Sequence, residues 1–260
     1  MSELIFVRHG QASFGQKSYD KLSERGIEQV KILARHWQDM GEQFDCIYSG
    51  TLLRQRETAQ ELLSLVRGEP DKSIENPSLN EYNGDPLIRV YLRNHAASEG
   101  RKPDREALME DLMEDLGKEL GKELGKDLGK DPRKDPRRFQ ELFEAATAKW
   151  IRNELQPTPG DTDFEYWDSF KSRVHGVVDE LMASHSDGSK VLISTSGGVI
   201  AMAMQRVLQF PDEQVITTNW MVKNSSVTRI QYGNGKLSLS QFNSLAHLEK
   251  ADMAHMITYR

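Results

Sequence analysis

The chain has 260 residues, of which 37% are hydrophobic, so it can bury one large core in a single domain. Its 34 lysines and arginines against 40 aspartates and glutamates give a net charge of −6, which argues against nucleic acid or an anionic membrane as a partner. Cys46 is the single cysteine, which excludes an internal disulfide. Because the sequence contains neither a signal-peptide pattern nor a run of about 20 apolar residues, we expect a soluble, cytoplasmic protein.

The first predicted element is a short buried strand. The apolar run Leu4-Ile5-Phe6-Val7 is closed by Arg8-His9-Gly10, and such a run followed by glycine predicts a strand that ends in a turn. In an open α/β sheet, ligands bind at the carboxyl ends of the strands. A histidine beside a permanently charged arginine at that place suits chemistry on a phosphate group.

The rest of the chain alternates between predicted strands and helices. We predict strands near residues 3–8, 45–49, 190–195, 226–232 and 236–242, with a weaker edge strand around 73–78. We predict helices near residues 23–40, 52–66, 139–154, 164–185 and 198–208. This alternation favours an α/β fold with a doubly wound, mostly parallel sheet and helices on both faces.

A charged low-complexity segment interrupts this alternation. Residues 101–138 contain 11 basic and 11 acidic residues, and a tetrapeptide of acidic residue, leucine, glycine and lysine repeats four times over residues 115–130. The period of four aligns the leucines along one slowly drifting helix face. Each glycine costs about 1 kcal/mol relative to alanine, more than the acid–lysine pairs contribute. We predict a marginal helix that projects from the domain; a lid or partner-binding arm is the alternative.

Several short motifs occur in a fixed order along the chain. After Arg8-His9-Gly10 come Ser49-Gly50-Thr51-Leu52-Leu53-Arg54-Gln55-Arg56-Glu57-Thr58-Ala59, then Leu79-Asn80-Glu81, and then Val191-Leu192-Ile193-Ser194-Thr195-Ser196-Gly197-Gly198-Val199-Ile200. Together they resemble the histidine phosphatase superfamily, in its phosphoglycerate mutase-like branch. Further matches are Leu22-Ser23 with Gly26 and Gln29, Asn224-Ser225-Ser226-Val227-Thr228, and Asn243 with His247-Leu248. The resemblance covers about residues 1–84 and 165–250.

The resemblance implies a role for each matching residue. His9 would be the nucleophile that attacks phosphorus and forms a phosphohistidine. Arg8 and Arg54 would hold the phosphoryl oxygens and neutralise their charge. Glu81 would be the general acid, which protonates the leaving alcohol and then activates water.

Three positions depart from the family pattern. Ser196 stands where the family carries a second histidine; with Gly197 it would bind phosphate at a helix start, but a hydroxyl donates one hydrogen bond and carries no charge. Gln11 replaces a frequent glutamate, and Gly15 replaces a frequent asparagine. The phosphate pocket is therefore predicted to contain fewer hydrogen-bond donors than is usual in the family. We expect Ser196→His to raise kcat if the pocket can hold the larger ring.

The resemblance also implies the organisation and function of the chain. Residues 1–260 would form a single histidine phosphatase-like domain, with a helical cap insertion at 85–163 that carries substrate recognition. The predicted function is a phosphomonoesterase working through phosphohistidine, weakened by Ser196. Alternatives are a pseudo-enzyme that binds phosphate esters and, ranked third, a phosphoglycerate mutase. We expect a small phosphorylated substrate or inorganic phosphate as the partner, with no cofactor and no metal. Neither the physiological substrate nor the oligomeric state follows from the sequence.

Overall fold

The structure is a computed structural model that describes residues 1–13, 20–98, 136–186 and 188–259. The tetrapeptide repeat at 115–130, nearly all of the charged segment around it, and Gly15 lie outside these residues. The prediction of a projecting helix in the repeat therefore stays a prediction.

The first strand, β1 (Ser2–Arg8), is an interior strand of the sheet. It pairs in parallel with β4 (Lys190–Thr195) on one side and antiparallel with β5 (Val227–Gly233) on the other. Leu4 to Val7 are completely buried. An interior strand covered on both faces requires apolar side chains at successive positions, which explains the continuous apolar run at the start of the chain.

The sheet has six strands in the order β3-β2-β4-β1-β5-β6. The four strands β3, β2, β4 and β1 are parallel, whereas β5 and β6 pair antiparallel. The doubly wound, mostly parallel α/β fold predicted from the sequence is thus confirmed. The other three strands are β2 (Cys46–Ser49), β3 (Ile74–Glu75) and β6 (Lys236–Ser244). The helices are α1 (Glu24–Asp39), α2 (Leu53–Leu62), α3 (Gly84–Ser98), α4 (Pro136–Ile151), α5 (Trp167–Ser184), α6 (Gly197–Leu208) and α7 (Asp212–Met221).

Two of these helices were not predicted. Helix α3 starts at Gly84-Asp85-Pro86, a turn-like sequence, but proline is tolerated in the first helical turn because its missing N–H would be unpaired there anyway. Helix α7 has weak intrinsic helix propensity, because four successive residues are β-branched: Val215, Ile216, Thr217 and Thr218. Both Val215 and Ile216 are buried, so tertiary packing overrides local preference in α7.

The described chain separates into two compact units. The first comprises residues 1–81 and 171–260 and contains the whole sheet; the second comprises residues 82–170. The second unit has its own aromatic core, in which the Trp150 ring lies 4.9 Å from both the Tyr82 and the Trp167 ring centroids. Its assignment as the cap of an active site stays a prediction. No helix within the described ranges has the length and apolar character needed to span a bilayer.

Candidate active site

His9 lies directly beyond the end of β1, beside the end of β4. Arg8 pairs with Thr195 in the strand register, and the His9 amide donates to the Thr195 carbonyl at 2.8 Å. The next residue, Gly10, donates its amide to Thr58 Oγ1 at 3.1 Å. A Cβ at Gly10 would stand 2.3 Å from the Gly26 carbonyl oxygen. Only glycine allows the chain to turn this close to α1, which holds His9 at the strand end.

The hydrogen bonds of the His9 ring define its tautomer. Nδ1 lies 2.7 Å from the Gly10 carbonyl oxygen, which can only accept, so Nδ1 carries the proton. Arg54 Nε donates to His9 Nε2 at 3.2 Å, so Nε2 presents its lone pair. Burial, reinforced by the charges of Arg54 and Arg8, holds the His9 pKa well below 6.5. The ring is therefore neutral near pH 7, and Nε2 is the ring nitrogen that carries the lone pair.

Arg54 is held in place by Asp20. Arg54 is the second residue of α2, and its Nη1 donates to Asp20 Oδ1 at 2.5 Å. The other oxygen, Asp20 Oδ2, accepts from the Leu53 amide at 2.8 Å, so Asp20 also satisfies a free N–H at the start of α2. The Arg54 side chain is 14% exposed. The sequence analysis did not identify Asp20 as a site residue, because the only feature that marks it there is a carboxylate two residues before Leu22.

Arg8 and the backbone of His9 are fixed from the β5 side. The Arg8 guanidinium donates to the Val222 carbonyl, and the Ser225 amide donates to the Arg8 carbonyl at 3.0 Å. Ser225 adopts φ +56°, a left-handed conformation that is uncommon for residues with a Cβ. Its Oγ shares a hydrogen bond of 2.9 Å with Nε2 of buried His247. His247 thus supports an unusual turn directly behind the proposed nucleophile.

Glu81 meets the start of α6. Its Oε2 accepts from the Gly198 amide at 2.9 Å, where a carboxylate is stabilised by the helix dipole. The preceding residues are anchored to the sheet, because Thr195 Oγ1 donates to the Leu79 carbonyl at 2.6 Å. Asn80 exchanges two hydrogen bonds of 2.7 Å with Thr51. The Glu81 carboxylate is therefore positioned by its own bond to Gly198 and by the anchored residues Leu79 and Asn80 that precede it.

Ser196 is the residue before α6 and is 1% exposed. Its Oγ lies 2.9 Å from Nε2 of the fully buried Gln55, a contact with no counterpart in the sequence interpretation. A Cβ at Gly197 would stand 2.3 Å from Asn219 Oδ1, so a larger residue there would displace the Asn219 side chain. The Arg8–Thr195 pairing places His9 and Ser196 side by side at two adjacent strand ends.

The predicted site residues therefore fall into two contact groups. His9 and Arg54 are in direct contact, and Glu81 contacts the helix that Ser196 precedes. Gln11 bonds to residues at α1: its backbone amide donates to Gln29 Oε1 at 2.9 Å, and its side-chain Oε1 accepts from the Ser23 hydroxyl at 3.2 Å. Across the residues that the structure describes, no cluster of histidine, cysteine, aspartate and glutamate side chains has the arrangement of a metal site.

Comparison with known proteins agrees with this geometry. Residues 4–103 and 123–245 match the histidine phosphatase superfamily (branch 1), and the chain belongs to that family. The phosphoglycerate mutase-like resemblance predicted from the sequence is thereby confirmed.

The similar proteins include both mutases and phosphatases. Over 84 residues the chain is 32% identical to the 2,3-bisphosphoglycerate-dependent phosphoglycerate mutase of Rhizobium meliloti. The matched region covers 30% of this chain and only 40% of that enzyme. Among solved structures, a phosphoserine phosphatase variant from Entamoeba histolytica in complex with phosphoserine shows 20% identity and a TM-score of 0.56, with 95% and 100% of the two chains covered. A phosphoglycerate mutase from Bacillus anthracis shows 20% identity and a TM-score of 0.57, with 95% and 94% covered. At this identity the two solved structures establish the shared fold.

Proposed function

We propose that this protein is a phosphomonoesterase that hydrolyses a small phosphate ester through a phosphohistidine intermediate. The observation that carries the proposal is the state of His9: a buried, neutral ring whose Nδ1 proton is held by the Gly10 carbonyl while Arg54 contacts Nε2. A neutral imidazole with one nitrogen oriented by the backbone is the form that can attack phosphorus.

The reaction follows from the groups around that ring. When the phosphoryl group enters, the Arg54 guanidinium turns from His9 Nε2 to the phosphoryl oxygens, which it holds together with Arg8. The freed lone pair of His9 Nε2 then attacks phosphorus in line, and the P–O bond to the alcohol breaks. Glu81 enters this step protonated on the oxygen that the Gly198 amide does not contact, and it gives that proton to the leaving alkoxide. As a carboxylate, Glu81 then removes a proton from water, which attacks phosphorus and breaks the P–N bond. The products are the alcohol and inorganic phosphate, and His9 returns to its neutral form.

The substrate is proposed as a small phosphorylated ester. Phosphatase and mutase relatives share this fold, and one of the phosphatases is in complex with phosphoserine. The assignment of substrate recognition to the insertion at 85–163, where the resemblance to the family fails, stays a prediction from the sequence.

A quench experiment tests the nucleophile. The wild-type protein is screened against a panel of phosphate esters, then mixed with the best substrate, quenched in alkali because the P–N bond breaks in acid, and digested. We expect phosphohistidine on the peptide containing residues 4–16. His9→Ala should lose both label and turnover, whereas the matched variant His255→Ala, at an exposed histidine, should keep both. Turnover by His9→Ala above about 1% of wild type would refute the assignment, since a covalent nucleophile contributes far more.

A second candidate function is a phosphate-ester binding protein with little turnover. The neutral Ser196 in place of the second histidine favours it, because an oxyanion donor is typically worth about 10²–10³ in rate. Phosphate binding in calorimetry without phosphohistidine or product on any ester of the panel would support this alternative. A mutase would instead transfer the label to a second hydroxyl of a phosphoglycerate rather than to water.

A further inference from the structure

Gln55 is a fully buried polar side chain in the first turn of α2. Its Nε2 lies 3.1 Å from the Leu79 carbonyl oxygen and 2.9 Å from Ser196 Oγ. A carbonyl only accepts hydrogen bonds, so the Gln55 atom facing Leu79 must be the nitrogen, and its two hydrogens serve these two acceptors. Both bonds lie in the interior, where hydrogen bonds are strong and unpaired polar groups are costly.

The orientation of Gln55 decides what Ser196 can do. Because Nε2 donates, Ser196 Oγ accepts, and the single hydroxyl hydrogen of Ser196 must point elsewhere. Among the described residues, Gln55 is the hydrogen-bond partner of the Ser196 hydroxyl. Ser196 lies beside His9 at the strand ends and directly precedes the first turn of α6. Its hydrogen is therefore available to an anion bound at His9.

Gly50 makes room for this arrangement. A Cβ at Gly50 would stand 1.9 Å from Gln55 Oε1 and 2.6 Å from Asn80 Oδ1. Any larger residue at position 50 would displace the Gln55 amide from its place beside Ser196. The residue types at positions 50, 55 and 196 therefore depend on one another: Gly50 leaves room for the Gln55 amide, which in turn bonds to Ser196.

We propose that Gln55 is a positioning residue that presents the Ser196 hydroxyl as a donor to a phosphoryl oxygen. The pair takes the place of the family's second histidine, and this inference rests on the proposed phosphohistidine chemistry. Ser196 and His9 are 1% and 6% exposed, so the hydrogen bond to a phosphoryl oxygen forms in a water-poor pocket. The Gln55 amide, 2.9 Å from Ser196 Oγ, fills the space that a histidine ring at 196 needs. Ser196→His alone is therefore not expected to raise kcat.

A double-mutant cycle tests the coupling. Ser196→Ala removes the donor, Gln55→Met removes the amide at nearly constant volume, and the double variant combines them. Ser196→Thr keeps the hydroxyl and is the conservative control. For each protein we measure kcat, KM, the vanadate inhibition constant and, by calorimetry, the Kd of inorganic phosphate. Thermal unfolding identifies variants that are merely destabilised.

If Gln55 acts through Ser196, the two single variants and the double variant should lose similar amounts of kcat and of vanadate affinity. Ser196→Ala and Gln55→Met each lower kcat by about tenfold or more and raise the vanadate constant similarly, while the double variant is no worse than about threefold below either single one. Ser196→Thr restores kcat to within about fivefold of wild type, because it restores the donor. A purely structural role for Gln55 would lower the melting temperature without reproducing this non-additive loss.

The opposing outcomes are equally distinct. Wild-type kcat and phosphate Kd in Gln55→Met, or losses that multiply in the double variant, would overturn the coupling even if His9 forms phosphohistidine. If wild type forms no phosphohistidine, the proposed function fails. The phosphate Kd then decides the inference by itself: an equal rise in both single variants and the double variant retains it, and an unchanged Kd refutes it.

Discussion

Acid should destabilise this protein in part through the buried ring of His247. Burial, together with the neighbouring charges of His36 and Lys250, lowers the His247 pKa in the folded protein to about 3, from an ordinary value of 6.5. Below pH 6.5 the unfolded chain takes up a proton at this histidine and the folded protein does not. The unfolded state is therefore favoured progressively as the pH falls from 6.5 towards 3.

The size of the effect follows from the two pKa values. A pH of 5.0 is about 1.5 units below the pKa of the histidine in the unfolded chain, and each unit corresponds to about 1.36 kcal/mol. Protonation of the unfolded state therefore lowers the free energy of unfolding by about 2 kcal/mol relative to pH 7.5. His247→Gln removes the titrating group and keeps an amide that can bond to Ser225. The free energy of unfolding of this variant should fall by about 2 kcal/mol less than that of wild type over the same interval.

Urea unfolding at pH 7.5 and 5.0 measures this difference. Other titrating groups, buried His9 included, contribute to both proteins and cancel in the comparison. His255→Gln is the matched control: this residue is exposed, so the variant should lose as much stability as wild type. Equal losses in wild type and His247→Gln would refute the reasoning, whatever the absolute stability of the variant.

Three further outcomes are expected. Gly10→Ala should destabilise the fold by about 2 kcal/mol or more in urea unfolding, because its Cβ meets backbone of α1 at 2.3 Å; a loss below about 0.5 kcal/mol would show that this approach relaxes freely. Asp20→Ala should cost about 1 kcal/mol as a lost helix cap and also lower kcat by releasing Arg54, whereas Asp20→Asn should recover stability but not kcat. Full activity in both would exclude a positioning role. Because its low pKa keeps His9 neutral, the acid limb of kcat/KM should have its midpoint below pH 6.5, and a midpoint above that value would contradict a nucleophilic imidazole.

Local patterns determined much of the fold and the identity of the candidate site. The apolar run before Arg8 predicts β1 because an interior strand must be apolar on both faces, and the structure places it between two other strands. The Gly-Gly after Ser196 predicts the start of α6. In an α/β sheet such strand ends meet at one edge, so the order of the motifs is enough to place His9 and Ser196 near each other.

Long-range contacts decided what those residues can do. The Asp20–Arg54 pair joins positions 34 residues apart, and the Gln55–Ser196 bond joins positions 141 apart; no periodicity encodes either, because each depends on how separately formed elements pack. The buried turn at Ser225 likewise depends on His247, from beyond the last strand. Sequence alone could name the histidine at the strand end. Its tautomer, its low pKa and the direction of the Ser196 hydroxyl exist only once the folded chain has removed water and placed a partner at each polar atom.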